Sequence, residues 1–269
     1  MLPGVYIAAK KSGETYYRAS ITYSGKHISL GSFSSSNHAH KAYLLALDLL
    51  KADSHWNIDN YPSSCLLAFH KWIVLINFRD NHIYFKNPIY LKKQYFLYYI
   101  DEFTPLKFNA EDLFYYAHHK IMKRGGHLFV SDYGMQLNIL SRYGIKNYGV
   151  AGRDYRFRNG DFTDLRYHNI EIINQYYGVS RILIKNQTKY QAKIHINGDY
   201  LIGKYDTEVE AAIAYNKAVL LLKNCGLDKN YSHNFIEGFD EITYASVFQK
   251  VGLSKRFRTF AETIRIQKK

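Results

Sequence analysis

The stretch GVSRILIKNQTKYQAKIHINGDYLIGKYDTEVEAAIAYNKAVLLL, residues 178–222, decides the predicted fold of this chain. Its first part alternates between apolar and polar residues, as short strands do, and its last part has the spacing of an amphipathic helix. Asn197-Gly198 lies between two alternating runs and predicts a hairpin. Asp206 is a good N-cap for the helix that follows. We therefore predict a three-stranded antiparallel sheet packed on one helix.

The middle strand of this sheet has two different faces, because side chains alternate along a strand. One face is apolar and suited to pack on the helix; it carries Tyr190, Ala192 and Ile194. The opposite face is polar and cationic and carries Lys189, Gln191, Lys193 and His195. A small sheet with one cationic face suits the major groove of DNA. The alternative is an ordinary α+β unit with a solvated basic face.

Residues 4–50 repeat the same pattern, with offsets that differ by one or two residues. Gly4-Val5 corresponds to Gly178-Val179, and Leu30-Gly31 corresponds to Ile202-Gly203. The outward positions of the second strand differ between the copies, so we expect the copies to prefer different bases. The DNA-contact candidates of this first copy are Tyr16, Arg18, Ser20, Thr22 and Lys26.

Both copies resemble the AP2/ERF DNA-binding domain. In the second copy the resemblance rests on Tyr177-Gly178-Val179, Tyr190–Ile194, Ile202–Tyr205, Glu210–Tyr215 and Asn234-Phe235. The resemblance implies that the sheet lies in the major groove, that the helix packs behind it, and that the partner is double-stranded DNA. It adds Arg181 to the base-contact candidates, since arginine pairs naturally with guanine.

The charge of the chain agrees with a polyanionic partner. Thirty-six Lys and Arg stand against 23 Asp and Glu, for a net charge of +13. The excess is concentrated in residues 4–33, 120–158 and 178–204. Clustered cations attract DNA through counterion release, although a soluble basic surface would have the same composition.

Several function classes are disfavoured by the remaining composition. No apolar run reaches the length of a membrane span, and the first residues lack a signal-peptide pattern. Cys65 and Cys225 are far apart and have neither metal-site nor redox spacing. We expect a cytoplasmic protein bound to DNA or to the nucleoid, with no membrane contact. The sequence leaves the oligomeric state open.

Residues 148–174 predict a strand, a glycine-containing loop and a helix. This segment resembles the ββα-metal core of HNH homing endonucleases, several of which carry an AP2-like module after the nuclease. The matching positions are Asp154-Tyr155, Asn159-Gly160, Leu165-Arg166 and Asn169-Ile170. The loop arginines Arg153, Arg156 and Arg158 suit phosphate contacts.

The departures from the HNH pattern argue against catalysis. The family's general base is a histidine, and its position here holds Tyr155, whose side chain titrates near ~10. The position that orients this histidine holds Leu165, which forms no side-chain hydrogen bond. We therefore predict a nuclease-derived scaffold without catalytic residues, metal ligands or cofactor.

The alternative is a metal-dependent HNH-type homing endonuclease that retains activity with Mg²⁺ or Mn²⁺. Its residues would be Asp154, His168 and Asn169. A rearranged version would use His168 or Asp161 together with Asp164.

The predicted organisation is α+β, with two sheet-and-helix modules flanking a mixed α/β centre that contains the ββα-metal-like element. The domains are 1–62, 63–174, 175–236 and a basic tail, 237–269. Within the centre we predict a helix capped by Ser63-Ser64, a strand over 89–100, and helices over 109–123 and 131–144. The predicted function is sequence-specific binding of double-stranded DNA by a transcriptional regulator that reads a bipartite site.

Overall fold

The computed structural model describes residues 2–227 and 229–267 and is a mixed α+β structure. These residues contain four three-stranded antiparallel sheets, one two-stranded sheet and six α-helices. The chain divides into two compact units. The first comprises the residues up to Ile139 together with Asn159–Asn169, and the second comprises Leu140–Arg158 and the residues from Ile170 onward.

The first unit begins with a sheet and a helix, as predicted. The N-terminal sheet has its strands in sequence order, β1 (Val5–Ala9), β2 (Thr15–Tyr23) and β3 (Lys26–Phe33). Helix α1 (Ser36–Leu49) follows, and Ser35 caps it by accepting a hydrogen bond from the His38 N–H. A buried core combines residues of the sheet and of α1, which are Val5, Ala19, Ile21, Ile28, Leu30, Ala39, Ala42, Ala46 and Leu49.

Helix α2 (Phe69–Asn81) shares that core, so the structure does not place a boundary at residue 62. Trp72 of α2 is fully buried, and the rings of Trp56 and Tyr61 pack edge-on against it at 5.2 and 5.4 Å. The helix begins later than predicted: its N-cap is Ala68, which makes no side-chain cap bond.

The rest of the first unit is richer in strands than predicted. It contains β4 (Ile89–Leu91), β5 (Tyr95–Tyr99), β6 (Pro105–Asn109), α3 (Leu113–His118), β7 (Ile121–Arg124), β8 (His127–Asp132) and β9 (Met135–Asn138). The helix predicted over 131–144 is wrong, because Tyr133-Gly134 turns the chain between β8 and β9. Both residues have positive φ, which two-residue hairpin turns require. The strand predicted over 89–100 is two strands, and the helix predicted over 109–123 covers only α3 and the short 3₁₀ turn before it.

The predicted ββα-metal-like element is not formed. β10 (Tyr155–Phe157) pairs with β11 (Ile170–Ile172) in a two-stranded sheet, and residues 148–174 contain no α-helix. β-branched residues at 170 and 172 favour pairing over a helix. The intervening segment Asn159–Asn169 belongs to the first unit, where Lys107 of β6 exchanges backbone hydrogen bonds of 2.9 Å with Thr163 and Leu165.

The second unit contains the other predicted sheet and helix. The C-terminal sheet consists of β12 (Val179–Ile184), β13 (Gln187–His195) and β14 (Asp199–Tyr205), followed by α4 (Glu208–Asn224). The N-cap is Thr207 and not Asp206, since Thr207 and Glu210 form a reciprocal capping box.

Two further helices, α5 (Glu241–Lys250) and α6 (Lys255–Gln267), follow in the same unit, and Phe257 and Ala261 lie in its core. At the edge of β14, Ser254 N–H donates to the Ile202 carbonyl at 2.7 Å, and the Phe260 ring stacks on Tyr200 at 3.9 Å.

The two sheets share their irregularities as well as their order. In the N-terminal sheet the register shifts after Ala19 and leaves Leu30 unpaired. In the C-terminal sheet it shifts after Ala192 and leaves Ile202 unpaired. Such bulges sit at defined positions and bend a sheet in a defined way.

A glycine precedes each of these sheets and packs against a tyrosine of the following helix. Gly4 and Gly178 have φ of +74° and +68°, and a Cβ on either would overlap the ring of Tyr43 or Tyr215, respectively. The sequence repeat is therefore a repeat of backbone geometry.

Candidate nucleic-acid interface

The face of each sheet that points away from its helix is called its outer face. In an antiparallel pair, directly opposed residues share a face. On the C-terminal sheet, Ser180, Gln191 and Lys204 are opposed in a row across the three strands, and Lys193 lies two residues further along β13. Lys193 and Lys204 are exposed, and neither forms an ion pair among the described residues. The outer face therefore presents an amide flanked by two available ammonium groups.

Two of the predicted contact residues on this face already have acidic partners. Lys189 pairs with Asp206, and His195 Nδ1 lies 2.9 Å from Asp199 Oδ1. Asp206 and Asp199 are well exposed, and exposed ion pairs contribute only about 0–1 kcal/mol. A phosphate can replace the carboxylate at either residue at low cost.

Arg181 lies on the other face, so its grouping with Lys189 and Gln191 is wrong. It is opposed to Tyr190, which belongs to the face that packs on α4, and strand alternation separates it from Gln191. Arg181 is nevertheless exposed, and it lies on β12, an outer strand of the sheet.

The outer face of the N-terminal sheet carries hydroxyls and aromatic rings more than charge. Tyr6, Arg18 and Ser32 are opposed across its three strands, and the Arg18 guanidinium lies 5.7 Å from the centre of the Tyr16 ring. Further along β2, Thr22 Oγ1 lies 3.3 Å from His27 Nδ1 on β3. This chemistry differs from that of the C-terminal sheet, in agreement with different base preferences.

Two predicted contacts of the N-terminal sheet need correction. Ser20 is only 7% exposed, and its Oγ has no hydrogen-bond partner among the described residues, so its hydroxyl is not presented to a ligand. Lys26 is opposed to Tyr23, on the same face as the buried Ile21, and therefore points away from the row containing Arg18. Alternation along β2 is unbroken and keeps Ser20 on the face of Arg18 and Thr22, so counting gives the face of Ser20 but not its exposure.

A basic cleft lies beside the C-terminal sheet within the second unit. Its volume is about 360 Å³, and its lining includes Lys146, Arg153, Lys193 and His195. The structure thus brings the predicted loop residue Arg153 next to two predicted residues of β13. Lys146 was not among the predicted contacts, and only its place in the basic block 120–158 pointed to it.

Asp154 anchors the loop at this cleft. It is 2% exposed, and its carboxylate accepts hydrogen bonds from Val150 N–H at 2.8 Å and from Arg153, while Lys146 Nζ lies 3.0 Å from Oδ1. Burial alone would raise the pKa of Asp154, but the bonds from Arg153, Val150 and Lys146 outweigh it and lower the pKa below the usual value. Both carboxylate oxygens of Asp154 are therefore bonded to groups of the protein itself.

Asn169 has a similar structural role in the first unit. Its Oδ1 accepts from Asn159 N–H at 2.9 Å, and its Nδ2 donates to the carbonyls of Asp164 at 2.7 Å and Asp161 at 3.2 Å. The side chain is 1% exposed, whereas that of His168 beside it is exposed to solvent.

The carboxylates of Asp161 and Asp164, which the rearranged nuclease site would use, are also bonded to neighbouring side chains. Asp161 bonds Thr163 and lies 3.0 Å from Lys107; the Thr163 bond, with help from Lys107, lowers the pKa of Asp161 to about 2. Asp164 holds Arg166 through two bonds of 2.8 and 2.6 Å. Within residues 2–227 and 229–267, no group of three or more His, Cys, Asp or Glu side chains is arranged to hold a metal ion.

Tyr155 is poorly suited to be a general base. It is 8% exposed, and burial, with a smaller effect from Asp154, raises the pKa of its phenol. Nearby, Arg156 and Arg158 share Glu171, at 3.0 and 3.5 Å, so that one carboxylate partly neutralises these two predicted phosphate contacts. Arg153, Arg156 and Arg158 all keep most of their side-chain surface exposed.

Comparison with models of protein families, with curated proteins and with solved structures gave no match. Among the described residues, no helix combines the length and the apolar character that are needed to cross a membrane.

Proposed function

We propose that this chain is a sequence-specific double-stranded DNA-binding protein that reads a bipartite site with its two bulged sheets. The observation that carries the proposal is the repeated geometry: two sheets with the same bulge and the same glycine–tyrosine contact, each presenting a polar outer face. The two sheets have the same backbone geometry but different outer side chains, which suits the recognition of two different base sequences.

The electrostatics support the same partner. The net charge is +13, and in the cleft beside the C-terminal sheet the basic side chains of Lys146, Arg153, Lys193 and His195 outnumber the carboxylates of Asp154 and Asp199. In such a complex the arginines and lysines of the loop hold phosphates and fix the register, while Gln191, Lys193 and Lys204 reach base edges.

A bipartite site follows from the size of the modules. A single small module buries on the order of 600–1,000 Å², which gives modest affinity. Covalent linkage makes the second contact intramolecular and raises the combined affinity. On this proposal the protein is a transcriptional regulator, and it acts bound to DNA in the cytoplasm or nucleoid.

Selection of bound sequences from a random double-stranded DNA pool tests the proposal. We expect two conserved half-sites and affinity that falls steeply as salt is raised. The proposal fails if wild-type protein does not bind DNA at about 50 mM salt, where electrostatic binding is strong.

Incubation with supercoiled DNA and Mg²⁺ or Mn²⁺ tests the alternative of a metal-dependent endonuclease. Because Asp154 and Asn169 are held by buried hydrogen bonds, substituting them would confound folding with catalysis. His168→Ala is the better probe because His168 is exposed. Metal-dependent cleavage that is lost in this variant would favour the nuclease.

A further inference from the structure

A second basic cavity lies in the first unit, and no residue of the N-terminal sheet lines it. Its volume is about 280 Å³, and its charged lining residues are His70, Lys71, Lys86 and Lys120. These residues come from three separate segments: the first turn of α2, the loop before β4 and the residue before β7. Chain segments distant in sequence thus line one space with basic side chains, of which Lys71 is half-buried and the others are exposed. No acidic residue of the described chain lines it.

The basic groups of this cavity act on one another. Burial and the neighbouring Lys86 lower the pKa of Lys71. Burial, Lys71 and Lys120 lower the pKa of His70. None of the three lysines has a carboxylate within ion-pair distance among the described residues. An anion in the cavity would relieve this repulsion.

The cavity also offers neutral hydrogen-bond donors. The hydroxyl of Tyr98 accepts from the Ile121 N–H at 2.9 Å, and burial raises the pKa of Tyr98 to about 12, so its own proton is retained. His70 and Lys71 belong to the first turn of α2, whose N-terminus carries the positive end of the helix dipole, and the N-cap Ala68 makes no side-chain cap bond.

Hydrogen bonds hold the walls of the cavity in place. Asn87 is buried and donates to the carbonyls of Tyr116 at 2.8 Å and Ala117 at 3.3 Å, which fixes the segment that leads to Lys120. Pro88 accepts from the Tyr99 N–H at 2.9 Å. The site needs little reorganisation to receive a ligand.

We propose that this cavity binds a phosphate group. Lysines converging with a phenol and a helix N-terminus match an oxyanion with several acceptor oxygens. The cavity volume of about 280 Å³ lies just below the roughly 300–1,000 Å³ of small-molecule sites and suits one or two phosphoryl groups. The phosphate belongs either to a small phosphorylated molecule or to a nucleic-acid backbone.

Titration calorimetry with inorganic diphosphate at low salt tests the site in the full chain. We expect binding to wild type and an affinity about tenfold weaker or worse in Lys86→Gln/Lys120→Gln, since charge-assisted bonds are lost. The matched control is Lys41→Gln/Lys93→Gln, which removes two exposed charges elsewhere in the same unit. The control should bind diphosphate as wild type does.

The proposal is overturned if wild type does not bind millimolar diphosphate, or if both double variants lose affinity equally. Thermal melting of each variant shows that the comparison is between folded proteins.

A DNA mobility shift with the same variants separates the two sources of phosphate. Weaker DNA binding and a shallower salt dependence in the cavity variant alone indicate a backbone phosphate. Unchanged DNA binding with lost diphosphate binding indicates a small phosphorylated ligand. If wild type does not bind DNA at all, the proposed function fails, whereas the diphosphate result still decides the phosphate site.

Discussion

Single side chains on the outer faces decide which bases the protein would read. Arg18→Ala and Lys193→Ala should each cost about 1–3 kcal/mol of binding free energy if they contact bases. Because the two residues lie on different sheets, each substitution should relax preference in a different half of the site. Selection of bound DNA sequences by each variant measures this directly.

Arg181→Ala is the matched control, because Arg181 is exposed but lies on the helix-side face of the C-terminal sheet. It should leave the base preferences unchanged. If Arg18→Ala and Lys193→Ala merely lower affinity for all sequences equally, these residues contact phosphate and not bases.

The second unit should lose stability at low pH when Asp154 becomes protonated. Its pKa is lowered in the folded protein, so its contribution is fully present above the ordinary aspartate value of 3.8 and is lost as pH falls through the folded value. Asp154→Asn should lower the free energy of unfolding at neutral pH and should weaken its dependence on pH in the acidic range. Urea denaturation at several pH values checks this prediction. It is contradicted if the variant and the wild type lose stability equally as the pH falls.

At the scale of elements, the glycine before each sheet should be indispensable to its packing. Gly178→Ala introduces a Cβ against the Tyr215 ring and the Lys193 carbonyl, at a φ of +68°. We expect a loss of about 2 kcal/mol or more, which combines backbone strain with overpacking. Thermal or urea unfolding measures the loss.

Gly198→Ala provides the comparison, since a Cβ there meets no atom within 4 Å and the backbone lies outside the left-handed region. It should change the free energy of unfolding by less than about 1 kcal/mol. Similar effects of the two substitutions would mean that the glycine–tyrosine contact contributes little.

The two sheet-and-helix elements were predictable because alternation and helical spacing are local signals. The β8–β9 hairpin was not predicted, since Tyr133 adopts a positive φ that its residue type does not favour. The face on which Arg181 lies depends on strand register, which only the pairing of the strands determines. The burial of Ser20 depends on tertiary packing, which alternation along the strand does not report. Likewise, the cavity of Lys71, Lys86 and Lys120 joins segments that no sequence pattern connects.

At the scale of the whole molecule, the linkage of the two sheets should appear as avidity. A DNA with both half-sites should bind about 10²–10⁴-fold more tightly than one with either half-site scrambled. Mobility shifts at constant salt measure the ratio. Equal affinity for the intact site and for one half-site would mean that a single sheet carries all recognition.

The contact between Ser254 and the carbonyl of Ile202 bears on whether another chain can pair with the edge of the C-terminal sheet. An outer strand exposes unpaired peptide groups, which can template strand addition by another chain and lead to fibril growth. On β14, the segment before α6 occupies one of these groups, and the Phe260 ring covers Tyr200. Edge-to-edge pairing of another chain with β14 would first have to displace α6, so this C-terminal helix covers the edge of the sheet as well as contributing Phe257 and Ala261 to the core.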